Sequence, residues 1–298
     1  MMGVAEARRL DSDWLRDHPL PQPAVGVDKN ERGRVLVIGG CVTVPGGVLL
    51  TAEAAFRAGA GKVRVATVER VAIPIGIALP EAGVFALPED EDGEIGAGCE
   101  AVLAPLLARS DAVVAGPAVG GDGPAGLVVD ALIAAEAGDS VLVLDAAALS
   151  CLPPDRTARL VQRRGPVILT PHIGEMAALL GRDAEEIERD RAGAVCRAAA
   201  MTGASCLLKG STSLVATAQG ELFAYAGGGV GLATGGSGDV LAGLVGGLAA
   251  RGAPPLEALL WAVWLHGEAG RRCAEQTGPL GFMARELVAH VPGLMRAV

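Results

Sequence analysis

Aromatic side chains are scarce in this sequence. Phe, Trp and Tyr together make up 3% of 298 residues, with a single tyrosine, so any large core has to be packed from Ala, Val, Leu and Gly. Six cysteines, at 41, 99, 151, 196, 206 and 273, include no C-x-x-C pair. That excludes a zinc or dithiol motif and leaves small buried hydrophobes in a reducing cytosol as their expected role. Positive charge is not in excess: 25 Lys and Arg against 34 Asp and Glu leave a net −9. Nucleic acid is therefore not an expected partner, and an anionic ligand has to find local donors against the overall field. The first residues, MMGVAEARRLDSDWLRDHPLP, lack the apolar stretch of a secretory signal. No run of about 18 apolar residues offers a membrane span. A cytoplasmic location is the expectation. No G-x-x-x-x-G-K-[ST] occurs, so this is not a P-loop protein, and neither of the Gly-rich strand exits at 39–47 and 115–121 matches G-x-G-x-x-G, so a Rossmann fingerprint is weak.

What is present is hydrophobic residues, 51% of the chain, and 43 glycines. Residues 1–28 read as an N-terminal extension with a short helix that Asp11 or Ser12 caps and that runs to about His18. Residues 29–298 read as a single α/β domain, without internal repeats. Short apolar runs at 33–40, 62–68, 111–120, 140–146, 166–171 and 204–210 read as strands, and 212–226 as a hairpin turning at Gln219–Gly220. Helical periodicity lies between them at 50–61, 99–110, 126–138, 174–181 and 184–203, and again after Asp239 and from about 255 to 275. Apolar strands alternating with helices predict a mostly parallel sheet with helices on both faces. In such sheets ligands bind beyond the carboxyl ends of the strands, which here carry Gly39, Gly116, Asp145, Pro171 and Lys209.

Three segments carry possible chemistry. In GGSGD (235–239) a glycine turn runs into a helix start. Backbone N–H groups there can converge on a phosphate, helped by the positive end of the helix, and Asp239 is placed to take a proton from an attacking hydroxyl. The alternative is that Asp239 only caps the helix. In LLKGSTS (207–213) a buried strand delivers Lys209 to a turn of hydroxyl and backbone donors suited to a diphosphate; the alternative is an ordinary turn with a solvated lysine. In TPHIGE (170–175) His172 either reaches a ligand or serves the structure, and Glu175 favours a helix N-terminus. Gly243, Gly246 and Gly247 read as permitting close helix packing, His266 and Glu268 as core-edge residues, and His18 and His290 as incidental. A crevice of glycine loops with one carboxylate, one lysine and one histidine suits phosphoryl transfer better than hydride or acyl transfer.

The ordered set GRVLVIGG, PGG, TAEAAFRAGAGKVRVAT, AGPAVG, VLDAAAL, LTPHIGE, LLKGST and GLATGGSGDVLAG resembles the ADP/ATP-dependent NAD(P)H-hydrate dehydratases over about residues 29 to 290. The resemblance implies a ribokinase-like fold. It implies dehydration of the 6-hydroxy hydrate of NADH or NADPH with ADP as phosphoryl donor, Mg²⁺ as the expected metal and no assigned metal ligands. Asp239 is implied as the base. Gly47, Gly116, Ala118, His172 and Asp239 are implied to bind the hydrate. Lys209, Gly210, Ser211, Thr212, Ser213, Gly236, Ser237 and Gly238 are implied to hold the nucleotide. A homo-oligomer and a separate NAD(P)H-hydrate epimerase are expected partners. The chain departs from the family's pattern at Ala147, where a second Asp is usual, at Ala118 in the GPA loop, at Gly46–Gly47, and in the loop 226–232, which lacks the usual Asn. A small-molecule kinase of the same fold (for hydroxymethylpyrimidine or a sugar) and a nucleotide-binding regulator remain as alternatives.

Overall fold

The runs VLVI, AVVA, VLVL and VIL are apolar at every position, so both of their faces have to be covered. They become neighbouring strands inside one ten-stranded sheet. In the computed structural model, which describes residues 6–135 and 139–298, the chain forms β1 (Arg8–Arg9), α1 (Ser12–Asp17), β2 (Arg34–Ile38), α2 (Gly46–Arg57), β3 (Lys62–Val68), α3 (Glu69–Ala78), β4 (Gly83–Leu87), α4 (Cys99–Leu107) and β5 (Ala112–Ala115). Next come α5 (Asp122–Ala134), β6 (Val141–Leu144), α6 (Ala147–Ser150), α7 (Pro154–Val161), β7 (Val167–Leu169), α8 (Ile173–Leu180), α9 (Ala184–Arg189), α10 (Arg191–Thr202) and β8 (Ser205–Leu208). The last elements are β9 (Thr212–Ala216), β10 (Leu222–Ala226), α11 (Ser237–Ala250), α12 (Pro255–Thr277), α13 (Ala284–Leu287) and α14 (Val291–Ala297).

The strand order is β1-β10-β9-β8-β7-β6-β5-β2-β3-β4. All neighbours are parallel except at β9, which runs antiparallel to β8 and β10. Every residue of β5, β6 and β7 is buried. The helices fall into two packed groups: α11 against α2 and α12 with α13 and α14 beside them, and α5 against α4 and α7 with α8 and α10. The mostly parallel sheet covered on both faces is thus as the sequence predicts.

From β2 the chain first turns outward to β3 and β4, then returns to place β5 on the other side of β2. The loops leaving β2 and β5 therefore part company at this point, which opens a crevice at the carboxyl ends of the strands. Three glycines then let α11 lie almost against its neighbours. A Cβ on Gly243 would run into the Thr51 carbonyl, one on Gly247 would stand 2.6 Å from the Ala55 carbonyl, and one on Gly246 would meet Val114.

Several boundaries differ from the sequence reading. α2 starts at Gly46, not at 50, so the PGG turn is its first turn. The expected helix at 184–203 is two helices, because Asp190 breaks it and caps the second by accepting the Gly193 N–H at 2.9 Å. The expected helix at 126–138 starts earlier, at Asp122, and ends at Ala134; residues 136–138 lie outside the described set. Five further elements, β1, α3, β4, α6 and α7, and the short C-terminal helices α13 and α14, have no counterpart in the periodicity. β1 is two arginines that become a strand only by pairing with β10. α3 carries Pro74 inside it, and β4 is a half-exposed edge. His18 is structural: its ring stacks on Trp14 at 3.9 Å between centroids, and its carbonyl accepts from Trp261 Nε1 at 2.8 Å.

Replacing Gly243 by Val should destabilise the protein by about 1–3 kcal/mol through overpacking, read from urea unfolding. Gly46→Ala, with nothing within 4 Å of the added carbon, should stay within about 0.5 kcal/mol of the parent.

Candidate active site

Three neighbouring strands deliver one charged cluster. Asp145 follows β6, Thr170 follows β7 and Lys209 follows β8. Asp145 is 2% exposed, and a buried carboxylate needs partners. Its Oδ1 accepts from Thr170 Oγ1 at 2.7 Å and from Lys209 Nζ at 2.8 Å. Lys209 Nζ is also 3.7 Å from Glu175 Oε2. Burial pulls the Lys209 ammonium down, but Asp145 and then Glu175 reverse this, and the net shift is upward. Lys209 is thus a held cation, not the solvated lysine of an ordinary turn. An ammonium has three donors, and the carboxylates leave it capacity for a phosphate. The turn that follows is pinned from behind by Arg191, which donates to the Thr212 carbonyl at 2.9 Å and the Lys209 carbonyl at 3.4 Å. A Cβ on Gly210 would strike that guanidinium.

His172 has a structural duty. It is the N-cap of α8, its Nδ1 accepting the Glu175 N–H at 3.2 Å while its own N–H donates to Glu175 Oε2 at 2.7 Å. This reciprocal box fixes the ring at the rim of the cavity described below, so the structural and ligand-facing readings are compatible.

Asp239 is not the cap of α11. The N-cap is Gly236, in the left-handed region at φ 86°, with no side-chain cap. Asp239 lies in the first helical turn, and among the described residues its carboxylate makes neither a hydrogen bond nor an ion pair. Burial first, and the charge of Asp145 second, push its pKa up to about 6 against the opposing pull of Lys209. The loops from the switch point close on it. A Cβ on Gly47 would stand 2.6 Å from Ala118 Cβ and 3.3 Å from Asp239 Oδ2. Gly116 adopts φ 112°, and a Cβ there would run into the Asp145 carbonyl. Ala118 itself holds φ 55°, a conformation unusual for a non-glycine residue. Gly47, Ala118 and Asp239 are therefore brought together, while Gly116 packs against Asp145.

Beside this cluster lies a cavity of about 750 Å³. Lys209, Gly210, Ser211, Ser213, Ser237, Gly238 and His172 line it; Thr212 and Gly236 belong to the same turns but not to its wall. The two regions meet at Gly238, whose Cβ position is 3.6 Å from Lys209 Nζ and 3.8 Å from Asp145 Oδ2. Val230, Leu232 and Val263 add apolar wall to the cavity, and the Asn-less loop contributes Gly227 and Gly229. Sequence reasoning assigned no site role to Asp145, Thr170, Glu175, Arg191, Tyr225 or His266. Asp145 at a strand end was the readable signal. Among the described residues no group of three or more His, Cys, Asp or Glu could hold a metal ion. Among the described residues no helix is long and apolar enough to cross a membrane.

A family model described as NAD(P)H-hydrate dehydratase matches residues 35–292. An ADP-dependent (S)-NAD(P)H-hydrate dehydratase from Xanthomonas campestris pv. campestris is 44% identical, over 97% of this chain and 96% of its own length. A bifunctional NAD(P)H-hydrate repair enzyme from Moorella thermoacetica is 36% identical over 97% of this chain, which spans 54% of that protein. A crystal structure of the ADP/ATP-dependent NAD(P)H-hydrate dehydratase from Bacillus subtilis, co-crystallised with ATP and Mg²⁺, superposes with a TM-score of 0.82 at 28% identity, over 100% of this chain and 99% of that one.

A carboxyl that keeps its proton up to about pH 6 when folded, but only to the usual carboxylate range when unfolded, opposes folding once both states are ionised. The folded state binds the extra proton between those values, so stability falls as pH rises through them. Asp239→Asn should therefore stabilise the protein by about 2 kcal/mol near neutral pH. The gain should vanish below about pH 4. Denaturant titrations at the two pH values check this; a carboxylate that only capped the helix would show no such gain, since Asn and Asp cap equally well.

Proposed function

The chain belongs to the NAD(P)H-hydrate dehydratase family, and from that premise we propose that it uses ADP to dehydrate the 6-hydroxy hydrate of NADH or NADPH, releasing the reduced cofactor, AMP and phosphate. The observation that carries this reading is Asp239: an unpaired, half-buried carboxylate with a pKa raised to about 6, beside a glycine turn on one side and the Gly47–Ala118 contact on the other. A base with a pKa near the working pH is the efficient kind.

The steps then follow from the layout. The hydrate lies across Gly47, Gly116 and Ala118, with its ring hydroxyl toward Asp239, and His172 contacts it at the rim. The nucleotide occupies the cavity, its phosphates over Lys209 to Ser213 and the turn Gly236–Gly238. The 6-hydroxyl oxygen attacks the β-phosphorus, its proton passes to Asp239, and the bond from that phosphorus to AMP breaks. The Gly236–Gly238 amides and the α11 N-terminus stabilise the charge on the transferring group. The ring nitrogen then expels phosphate from C6, and loss of a proton from C5 restores the C5–C6 double bond.

Asp145 and Glu175 both approach Lys209 at the start of the phosphate turn. Two carboxylates without a third ligand fit Mg²⁺ that arrives with the nucleotide and keeps much of its water. When bound, such an ion would neutralise phosphate charge. ADP as the donor is supported by the name of the Xanthomonas relative. A separate epimerase remains part of this reading, supported by the single-activity name of that same relative, as does a cytoplasmic location. We also read the chain as a homo-oligomer. Ile73 and Ile77, 75% and 77% exposed on one face of α3 beside the β4 edge, are apolar surface open to a second copy.

NADH-hydrate and ADP incubated with the protein should regain the near-ultraviolet absorbance of reduced nicotinamide, with one AMP and one phosphate per cofactor restored. A stable phosphate ester without absorbance recovery would instead identify a small-molecule kinase. ADP binding without turnover would identify a regulator.

A further inference from the structure

α12 runs past the N-terminus of α11 and presents one polar side chain to it. His266 Nε2 lies 3.0 Å from the Ser237 carbonyl oxygen and 2.9 Å from Ser237 Oγ. Ser237 is 5% exposed, and both residues line the cavity. A carbonyl oxygen only accepts, so the contact to it places the hydrogen on Nε2. That N–H is then shared between the carbonyl and Oγ, a three-centre bond. With Oγ accepting from His266, the serine's own hydrogen points elsewhere. The polar place left for it is the cavity, where Gly238 follows in the chain and the Lys209 turn faces it.

This geometry also excludes a nucleophilic Ser–His pair. A general base has to accept the hydroxyl proton, whereas Nε2 already carries one. Burial first, with the Lys209 charge in the same direction and the Ser237 carbonyl opposing, holds the ring's pKa down at about 4. The imidazole is therefore neutral through the physiological range and stays in one tautomer.

We infer that His266 is a positioning residue: by donating Nε2–H to Ser237, it fixes the serine hydroxyl as a hydrogen-bond donor to the phosphoryl group transferred in this cavity. The inference rests on the phosphoryl-transfer reading above. It adds to the backbone donors of the glycine turn one side-chain donor whose direction is set from a different helix.

A double-mutant cycle on turnover of NADH-hydrate with ADP, alongside ADP affinity by calorimetry, tests it. Removal of a preorganised donor to a developing charge costs up to about 10²–10³ in rate, and His266→Leu should lower kcat by at least about tenfold. ADP affinity should change less than kcat, because the bond strengthens in the transition state. His266→Gln, which keeps a side-chain N–H, should recover most of the loss. In a Ser237→Ala background, His266→Leu should add nothing. Equal defects in the Leu and Gln variants, or Leu and Ala losses that multiply, would overturn the inference. Because Ser237→Ala leaves α12 intact, an unchanged kcat in that variant would overturn it even if His266→Leu failed to fold. Absence of turnover in the unmodified protein would instead sink the phosphoryl-transfer reading itself.

Discussion

The close approach of α11 to α2 sets the position of everything chemical in this molecule. Gly243 and Gly247 let the two backbones meet at carbonyl distance, and Gly246 lets α11 lie on Val114 of the central sheet. With α11 seated there, its first turn stands over the switch point between β2 and β5. Asp239 then faces Gly47, and Ser237 and Gly238 face the cavity. Larger residues at those three positions would lift the helix and carry its N-terminus away from the strand ends. The helix is almost wholly buried, so its place is fixed by packing from several sides, which is what a site needs from its scaffold.

Electrostatics complete the arrangement. A chain of net charge −9 binding two phosphorylated ligands needs local cations and amides. Lys209 is the cation placed at these strand ends, but a lone buried ammonium would lose its proton or its stability. Asp145 and Glu175 hold it charged. The same Asp145 raises the pKa of Asp239, after burial has done most of it. Asp145 therefore shifts two groups in the same sense: it keeps Lys209 protonated, and by raising the pKa of Asp239 it brings that carboxylate toward the range in which it is an effective base. The cost is an ionised Asp239 that opposes folding at neutral pH, a familiar trade between activity and stability.

Much of this was legible in the sequence, and the part that was not has physical reasons. Strands such as VLVL and AVVA announce themselves because full burial demands uninterrupted apolar residues. The GGSGD and KGSTS turns announce themselves because glycine and hydroxyl residues after a strand have few other uses. What escaped depends on residues distant in sequence. Arg191 caps no motif of its own, yet its guanidinium braces the Lys209 turn from 18 residues away. His266 sits in an apolar helix and looks like a core residue until Ser237, 29 residues earlier, is found at 2.9 Å. β1 becomes a strand only because β10 offers it an edge. The readings of Lys209 as a solvated lysine and of Asp239 as a helix cap could be set aside only by burial and by cap geometry, neither of which a linear pattern contains.

The central claim is that Asp239 accepts the proton of the hydrate's hydroxyl as the phosphoryl group is transferred. Asp239→Asn preserves shape and removes most of the basicity, so single-turnover kinetics with NADH-hydrate, paired with ADP binding, isolate that role. The account predicts a loss of about 10²–10⁴ in rate with ADP affinity kept or improved, since a negative charge near the phosphates is gone. An Asn variant that turns over at the parent rate, or that fails only because ADP no longer binds, would contradict it.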